Sequence, residues 1–339
     1  MKINFDADHV GRGRYLVRLS IKLKSTAVGA VRWRGHMRFQ VWSLGGLLVL
    51  LGAASASEFA DPIHYKGLCE ASAATYIDND HFVVASDETN ILRLYTRNDK
   101  SEGVPLDFEH PSGFDKSDIE AAARDGEIVY WISSHSLNSS GEDKDKRKIF
   151  FATKVVAVDK AATLQWEGEF LRLRDAILGV IGDRKSELNI EGLATAPDGA
   201  LLIGLRDTID DKAVVIPFTN PAEVISHPER NAVLGDPSRL DLGGLGIRSV
   251  ERVDDHYLIV AGPVSDEGPF ALYRWLGGKS SPEELKAPAF GSLRPEALMQ
   301  IPGSGMVQIL SDDGSQTCDD EKTPLSQRAF RSTEIKLGN

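Results

Sequence analysis

One phrase, made of a short strand, a tight turn and a second short strand, occurs five times between Cys69 and Asp313. Such internal repetition constrains the fold more than any other feature of this chain. The clearest copy is NIEGLATAPDGALLIGLR, from Asn189 to Arg206, in which Pro-Asp-Gly separates two apolar runs. The other copies turn at DND, RDGE, DD and PGSG, which is also the chemistry of hairpin turns. Corresponding positions are 70, 120, 191, 248 and 296, so the copies are 50, 71, 57 and 48 residues apart.

The chain after each hairpin contains a further β-rich phrase, and most copies have a fourth candidate strand such as VPLDFEH or the LDL of SRLDLGG. Four short strands every 48 to 71 residues are typical of β-propeller blades. The sequence therefore predicts an all-β fold, a single β-propeller of five four-stranded blades. Short helical turns are expected only in insertions, at Leu171–Ile181, after Asn220-Pro221 and after Ser281-Pro282.

The two ends of the propeller segment suggest how the ring closes. The last copy has only three C-terminal strands, and Ile63–Leu68 could supply its missing outer strand. Cys69 would then begin the first blade and Cys318 would lie in a loop of the last blade, its neighbour in a closed ring. We expect a Cys69–Cys318 disulfide that fastens the closure. The alternative is two unpaired, mostly buried thiols.

The N-terminal residues have the pattern of a targeting segment. Residues 37–56, MRFQVWSLGGLLVLLGAASA, combine a basic start, an apolar run from Val41 to Leu51 and a small-x-small cleavage site, which predicts a secretory signal peptide. The apolar run is short for a membrane span, although an uncleaved anchor is the alternative. We interpret residues 1–36 as an upstream extension or a misassigned start and residues 57–339 as the propeller. The mature protein is expected to be periplasmic or secreted, with no stable membrane span.

The charge of the propeller segment limits its partners. The whole chain has a formal net charge of -11, but residues 1–56 carry nine basic and two acidic side chains, which leaves a net charge of -18 on the rest. A surface of that sign repels nucleic acid and anionic lipid and attracts cations. We therefore expect a small-molecule or cell-envelope ligand, no nucleic acid, and a monomer.

The repeat also predicts where a site lies. In a propeller the first strand of each blade lines the channel and the second runs back, so the start of one and the end of the other share a face. The starts are Glu70, Glu120, Glu191, Arg248 and Glu296. The ends, 14 to 17 residues later, are Asp87-Glu88, Ser134-His135, Arg206-Asp207, Gly262-Pro263 and Asp312-Asp313. One mouth of the channel is therefore expected to be strongly acidic.

Carboxylates gathered in this way either hold protons or bind a cation. The residues predicted to bind a metal ion are Glu70, Glu120, Glu191, Glu296, Asp87 and Asp312. Oxygen ligands favour Ca²⁺ or Mg²⁺, and a lone histidine does not support a zinc site. No organic cofactor is expected, because GGLG at 243–246 lacks the strand-then-helix context of a phosphate-binding loop.

The catalytic interpretation is a metal-assisted hydrolase of a phosphorylated or esterified small molecule. Arg248 and Arg206 would hold an anionic group, and His135 or a glutamate such as Glu191 would move a proton. The competing interpretations are a non-catalytic module that binds a small molecule, a cell-envelope ligand or a protein, and a purely structural cation site. Each glutamate could also simply hydrogen-bond the backbone of the next blade, and His135 could be structural.

Four phrases carry a resemblance to a known family: DIEAAARDGEIVYWISSHSLN, NIEGLATAPDGALLIGLR, LDLGGLGIRSVE and YLIVAGP. At these phrases the chain resembles the bacterial family known as domain of unknown function 3616, with a likeness from about Leu68 to Phe330. The resemblance implies an exported propeller of unknown biochemistry. More distantly, the repeated Glu-Gly phrase is similar to phytase-like esterase and gluconolactonase-type propellers, in which acidic channel residues can bind calcium. That distant similarity implies a fold and does not fix a function.

Overall fold

The computed structural model divides the chain into two units, Met1–Ala54 and Ser55–Asn339. In the first unit it describes two strands, β1 (Lys2–His9) and β2 (Tyr15–Lys22), which pair antiparallel. The predicted signal peptide, 37–56, lies outside the described residues. In the second unit the described residues are 61–106, 116–158, 161–265, 267–286, 290–314, 318 and 322–337.

The second unit contains five four-stranded antiparallel sheets, which confirms the predicted five-bladed propeller. Its first strand, β3 (Ile63–Lys66), belongs to the last blade. The first two blades consist of β4 (Ala73–Tyr76), β5 (His81–Ser86), β6 (Thr89–Thr96) and β7 (Val104–Pro105), then β8 (Ile119–Asp125), β9 (Ile128–Ser133), β10 (Phe150–Val158) and β11 (Ala161–Phe170). The next two consist of β12 (Ile190–Thr195), β13 (Leu201–Leu205), β14 (Ala213–Phe218) and β15 (Ser238–Leu240), then β16 (Gly246–Val253), β17 (His256–Gly262), β18 (Ala271–Trp275) and β19 (Glu283–Leu285). The fifth consists of β20 (Pro295–Gln300), β21 (Met306–Ser311), β22 (Ala329–Lys336) and β3.

The ring is closed by both ends of this unit. Each first strand packs against the first strands of its two neighbours, in the circular order β4, β8, β12, β16, β20 and back to β4. In the last blade β3 pairs antiparallel with β22, with Tyr65 opposite Phe330. Cys69 and Cys318 form a disulfide with a Cα–Cα distance of 5.7 Å. The predicted outer strand and the predicted disulfide are both confirmed.

The hydrophobic core consists of five clusters, each at the interface of two adjacent blades. Strand β17 shows why its sequence is a continuous apolar run. Ile259 and Ala261 pack toward the third blade, while Leu258 and Val260 pack toward the fifth. Because successive side chains alternate between the faces of a strand, a strand buried on both faces must be apolar throughout.

Two of the three predicted helices are present, α1 (Leu173–Ile181) and α2 (Pro221–Ser226). Single turns of 3₁₀ helix occupy Asp145–Arg147, Lys185–Glu187 and Leu325–Gln327. The helix predicted after Ser281-Pro282 is wrong, because that segment forms β19 and pairs with β18 through Leu272 and Leu285. Pairing with an unfinished sheet outweighed the local helix signal of the proline. Among the described residues, no helix is both long and apolar enough to cross a membrane.

Candidate functional site

The start position of the repeat coincides with a β-bulge in four of the five blades. In each of these blades the register between the first and second strands shifts by one residue at this position. The residues left out of the ladder are Glu120, Glu191, Arg248 and Glu296. In the first blade Glu70 comes just before β4, next to the disulfide at Cys69. A bulge frees a side chain from strict alternation and re-aims it, so these charged groups converge on one mouth of the channel, the acidic mouth.

On one side of the acidic mouth the carboxylates are paired with arginines. This arginine half consists of Glu191, Arg206, Arg248 and Glu296. Arg248 bridges two glutamates, with Nη1 3.1 Å from Glu191 Oε2 and Nη2 2.9 Å from Glu296 Oε1. Arg206 Nη1 lies 2.8 Å from Glu191 Oε1. Arg248 is almost fully buried, whereas 16% of the Arg206 side chain is exposed.

On the other side the carboxylates lie against one another. This carboxylate half consists of Glu70, Asp87, Glu88, Asp118 and Glu120, from the first two blades. It contains two groups of three, Glu70 with Asp87 and Glu88, and Asp87 with Asp118 and Glu120. Within each group one oxygen per residue lies within 4.8 Å of the others, and Asp87 belongs to both groups.

Polar neighbours hold the carboxylate half in place. Arg147 Nη2 lies 2.7 Å from Asp118 Oδ1, and the Ser134 hydroxyl donates to the other oxygen of Asp118. Lys116 Nζ lies 2.5 Å from Glu88 Oε2. The rim of this half is thus neutralised by cations, while its centre, at Asp87, is not.

Burial controls the protonation of the carboxylate half. Burial, and then the charge of Asp87, raise the pKa of Glu70 to about 10. Burial and the nearby Asp118 raise the pKa of Glu120 well above its usual value. Burial raises the pKa of Asp312, which acts on Glu70 electrostatically, to about 7. At neutral pH and without a cation, Glu70 therefore keeps its proton, and burial favours the protonated form of Glu120 as well.

Burial is also the main cause of the raised pKa values in the arginine half, although the arginines partly oppose it. It raises the pKa of Glu191 even though Arg248 and Arg206 act in the opposite direction. Burial and the charge of Asp312 raise the pKa of Glu296, and Arg248 only partly offsets them. The arginines thus compensate for two buried carboxyl groups that would otherwise have no counter-charge.

The carboxylate half has the donor set of a hard cation. All of its side chains offer oxygen, which Ca²⁺ and Mg²⁺ prefer. Glu70 Oε2 is buried and, among the described residues, has no hydrogen-bond partner. A cation among Glu70, Asp87 and Glu88 would satisfy that oxygen and replace the proton of Glu70. The predicted ligands Glu191 and Glu296 instead face Arg248, and Asp312 Oδ1 accepts a 2.9 Å hydrogen bond from the Gly314 amide.

The imidazole of His135 lies apart from both halves. It is fully buried, and its Nδ1 lies 2.8 Å from the Ser133 carbonyl oxygen. Arg174 Nε donates to the His135 carbonyl, and burial lowers the pKa of His135 to about 4. Within the described part of the chain its Nε2 has no hydrogen-bond partner. The structure thus brings Glu191, Arg206 and Arg248 together, whereas His135 is neutral and enclosed in the protein.

Sequence reasoning missed Asp118 and Arg147 as members of the mouth. Asp118 precedes Glu120 by two residues and adopts a left-handed conformation with φ 55°. Arg147 belongs to the run GEDKDKRK, whose mixed charges are typical of a solvated loop. The position of Asp118, two residues before Glu120, could have indicated that it belongs to the mouth. No local sequence signal indicates that Arg147 contacts Asp118.

The channel below the acidic mouth is filled by side chains of the inner strands. A cavity of about 10 Å³ remains, with all five blades in its wall. Its lining includes Ala73, Ala121, Leu193, Ser249 and Leu298. This space is at most that of about one water molecule, so the acidic mouth is a closed bowl.

Comparison with known proteins gives a family match over part of the chain and weak structural similarities. The profile of DUF3616, a family of proteins of unknown function, matches residues 168–305. Three of the four phrases that carried the resemblance lie inside this range, and DIEAAARDGEIVYWISSHSLN lies outside it. No curated protein sequence matches the chain.

Among solved structures, glutaminyl cyclase from Myxococcus xanthus is similar at 12% identity and a TM-score of 0.47, over 83% of this chain and 97% of that one. An exo-β-1,3-galactanase from Phanerochaete chrysosporium is similar at 10% identity and a TM-score of 0.46, over 80% and 60%. Virginiamycin B lyase from Staphylococcus aureus is similar at 8% identity and a TM-score of 0.40, over 82% and 99%. The resemblance inferred from the sequence is confirmed by the family match: residues 168–305 of this propeller correspond to DUF3616, a family of unknown function.

Proposed function

We propose that this protein is an exported propeller that binds a divalent cation, Ca²⁺ or Mg²⁺, in the carboxylate half of its acidic mouth. The observation that supports the proposal is the pair of three-carboxylate groups that share Asp87. Among the described residues, no basic side chain pairs with Asp87 at their centre. Arg147 and Lys116 pair instead with Asp118 and Glu88 at the rim. A cation there would relieve the repulsion of these carboxylates.

We further propose that the occupied mouth hydrolyses a phosphorylated or esterified small molecule. The cation would supply polarisation of a phosphoryl or carbonyl oxygen. Arg206, the more exposed of the two arginines, is suited to hold the anionic group of a substrate. Arg248 has the separate role of fixing Glu191 and Glu296, because it contacts both.

Proton transfer in this proposal belongs to a carboxyl group rather than to His135. The imidazole of His135 is enclosed and bonded to the Ser133 carbonyl, so it does not reach a substrate in the mouth. Asp312 borders the bowl and has a pKa raised to about 7 by burial, which suits a group that gives and takes a proton near neutral pH.

A second function, binding without catalysis, is favoured by one specific observation. Arg248 is already paired with two glutamates, and Arg206 with one, so the anion-binding capacity of the mouth is largely used within the protein. In that case the cation would bridge the bowl to a small-molecule or cell-envelope ligand.

Export is part of the proposal because of the predicted signal peptide and the Cys69–Cys318 disulfide, a bond typical of oxidising compartments. We expect a periplasmic or secreted monomer that does not bind nucleic acid.

The cation step is tested by thermal unfolding in chelator, Ca²⁺ and Mg²⁺, with isothermal titration calorimetry for affinity. Binding at a concentration 100 times the Kd stabilises the folded state by about 2.7 kcal/mol. Asp87→Asn, which alters both carboxylate groups, should abolish the shift. Asp211→Asn is the matched control, because Asp211 is an exposed turn residue with φ 60°, which asparagine adopts readily. No shift of the wild-type protein with either cation contradicts the proposal.

The catalytic step is tested with a panel of phosphomonoesters, carboxylic esters and lactones, with and without the cation that binds. Hydrolysis that disappears in chelator and in Asp87→Asn supports the hydrolase. Glu191→Gln should reduce turnover, because it removes the charge that orients Arg206 and Arg248. Cation binding without any hydrolysis favours the binding module, and equal turnover by Asp87→Asn excludes the acidic mouth as the active site.

A further inference from the structure

A second concave site lies at the opposite mouth of the channel. A cavity of about 460 Å³ opens where the five inner strands end, and every blade contributes to its wall. Residues at or near these strand ends that line it are Tyr76, Arg124, Thr195, Arg252 and Gln300. The filled centre of the channel separates this opposite cavity from the acidic mouth. Its volume is in the range of small-molecule sites, which run from about 300 to 1,000 Å³.

Two arginines, Arg124 and Arg252, lie in the wall of the opposite cavity. Arg124 is held by backbone carbonyls, with Nε 2.7 Å from Gly126 O and Nη1 3.0 Å from Tyr76 O. Among the described residues, neither Arg124 nor Arg252 forms an ion pair. In the acidic mouth, by contrast, Arg206 and Arg248 are paired with glutamates. The carbonyls fix the guanidinium group of Arg124, and a second guanidinium group lies in the same wall, so the pair is suited to a carboxylate or phosphate.

The rest of the wall offers hydrogen-bonding groups. Glu251 Oε1 accepts a 3.0 Å hydrogen bond from the backbone N–H of Gln300, and among the described residues its Oε2 has no hydrogen-bond partner. Thr75 and Thr195 also line the cavity, and Asp254 lies on the exposed turn at its edge. Carboxylate and hydroxyl groups of this kind recognise the hydroxyl groups of a ligand.

We propose that the opposite cavity binds a small hydroxylated anion of monosaccharide size, with Arg124 and Arg252 holding its charge and Glu251 accepting from a hydroxyl. A sugar acid and a sugar phosphate share this chemistry. The site is separate from the proposed cation site and does not depend on it.

The test is isothermal titration calorimetry of the protein with glucuronate, galacturonate, glucose 6-phosphate, glucose and inorganic phosphate. We expect at least one of the three charged sugars to bind, and glucose to bind at least about tenfold more weakly, since it lacks the charge-assisted hydrogen bonds. Tighter binding of a sugar acid assigns the cavity to carboxylates, and tighter binding of glucose 6-phosphate assigns it to phosphates. The proposal is overturned if none of the charged sugars binds, if glucose binds equally well, or if inorganic phosphate binds as tightly as glucose 6-phosphate.

Variants locate the binding. Arg252→Gln and, separately, Arg124→Gln should each weaken binding of the charged sugar about tenfold or more, with folding checked by thermal unfolding. Arg230→Gln, an equal loss of charge at an exposed position beside α2, should leave the affinity unchanged. Asp87→Asn at the acidic mouth should also leave it unchanged. Unchanged affinity in a folded Arg252→Gln or Arg124→Gln variant overturns the assignment.

Discussion

The arginine half and the carboxylate half of the acidic mouth compensate for gathered carboxyl groups in different ways. In both, the repeat places acidic side chains at the start of the inner strands. In the third to fifth blades one of these positions is Arg248, which neutralises Glu191 and Glu296 on either side. In the first two blades the position is glutamate twice, and the carboxylates meet around Asp87 instead. One arginine among five equivalent positions therefore divides the ring. The blades around it form a closed ion-pair network, and the blades with glutamate alone are open to a cation.

The largest expected effect comes from breaking the arginine half. Arg248→Met leaves Glu191 and Glu296 buried without their shared partner, which should cost about 3–5 kcal/mol of unfolding free energy. Urea unfolding measures the loss. The control is Arg274→Gln in the same blade, whose exposed ion pair with Glu283 is worth at most about 1 kcal/mol. Equal losses in the two variants would show that Arg248 has no special structural role.

A comparable loss of stability is expected from removing the disulfide beside Glu70, at the N-terminal end of the carboxylate half. Glu70 lies outside β4, next to Cys69, and the Asp313 amide donates to the Cys69 carbonyl. The double variant Cys69→Ser/Cys318→Ser should lose about 2–5 kcal/mol of stability. Because Glu70 loses its anchor, cation affinity should fall as well, which calorimetry at a temperature where the variant is folded would show. Unchanged affinity would mean that Glu70 does not bind the cation.

An intermediate effect, with opposite signs in two measurements, is expected for Arg147→Gln. Loss of the 2.7 Å pair leaves Asp118 buried without its counter-charge, which should lower stability in chelator by about 1–3 kcal/mol. The same loss removes a positive charge that competes with a cation, so the cation should bind about fivefold more tightly. Weaker cation binding by a folded variant would argue that Asp118 and Arg147 do not belong to the cation site.

The smallest effect at neutral pH concerns His135, which belongs to neither half. Burial lowers its pKa to about 4 from an ordinary value near 6.5, so the unfolded chain binds the extra proton between these pH values. Its contribution to stability is therefore fully present above about pH 6.5 and is lost as the pH falls toward 4, by at most about 1.4 kcal/mol per pH unit. His135→Leu removes this titration, so the wild type should lose unfolding free energy relative to the variant as the solution is acidified. A constant difference from pH 7 to pH 4.5 would contradict the buried, neutral imidazole.

The sequence by itself determined the blades and the positions that face the mouth. Turn chemistry and apolar runs are local signals, and their fivefold repetition predicts the propeller, a closing strand in Ile63–Leu68, which forms over Ile63–Lys66, and the Cys69–Cys318 bond. Repetition also identified Glu70, Glu120, Glu191, Arg248 and Glu296 as equivalent positions.

Only the tertiary structure decided what each of these positions touches. The bulge that turns Glu191 into the mouth, the reach of Arg147 to Asp118 and the enclosure of His135 depend on how neighbouring blades pack. The same holds for the Arg124 and Arg252 cavity, whose wall is assembled from all five blades. Local sequence encodes a strand and its turn, whereas the partner of a charged side chain is set by residues tens to hundreds of positions away, once the ring has closed.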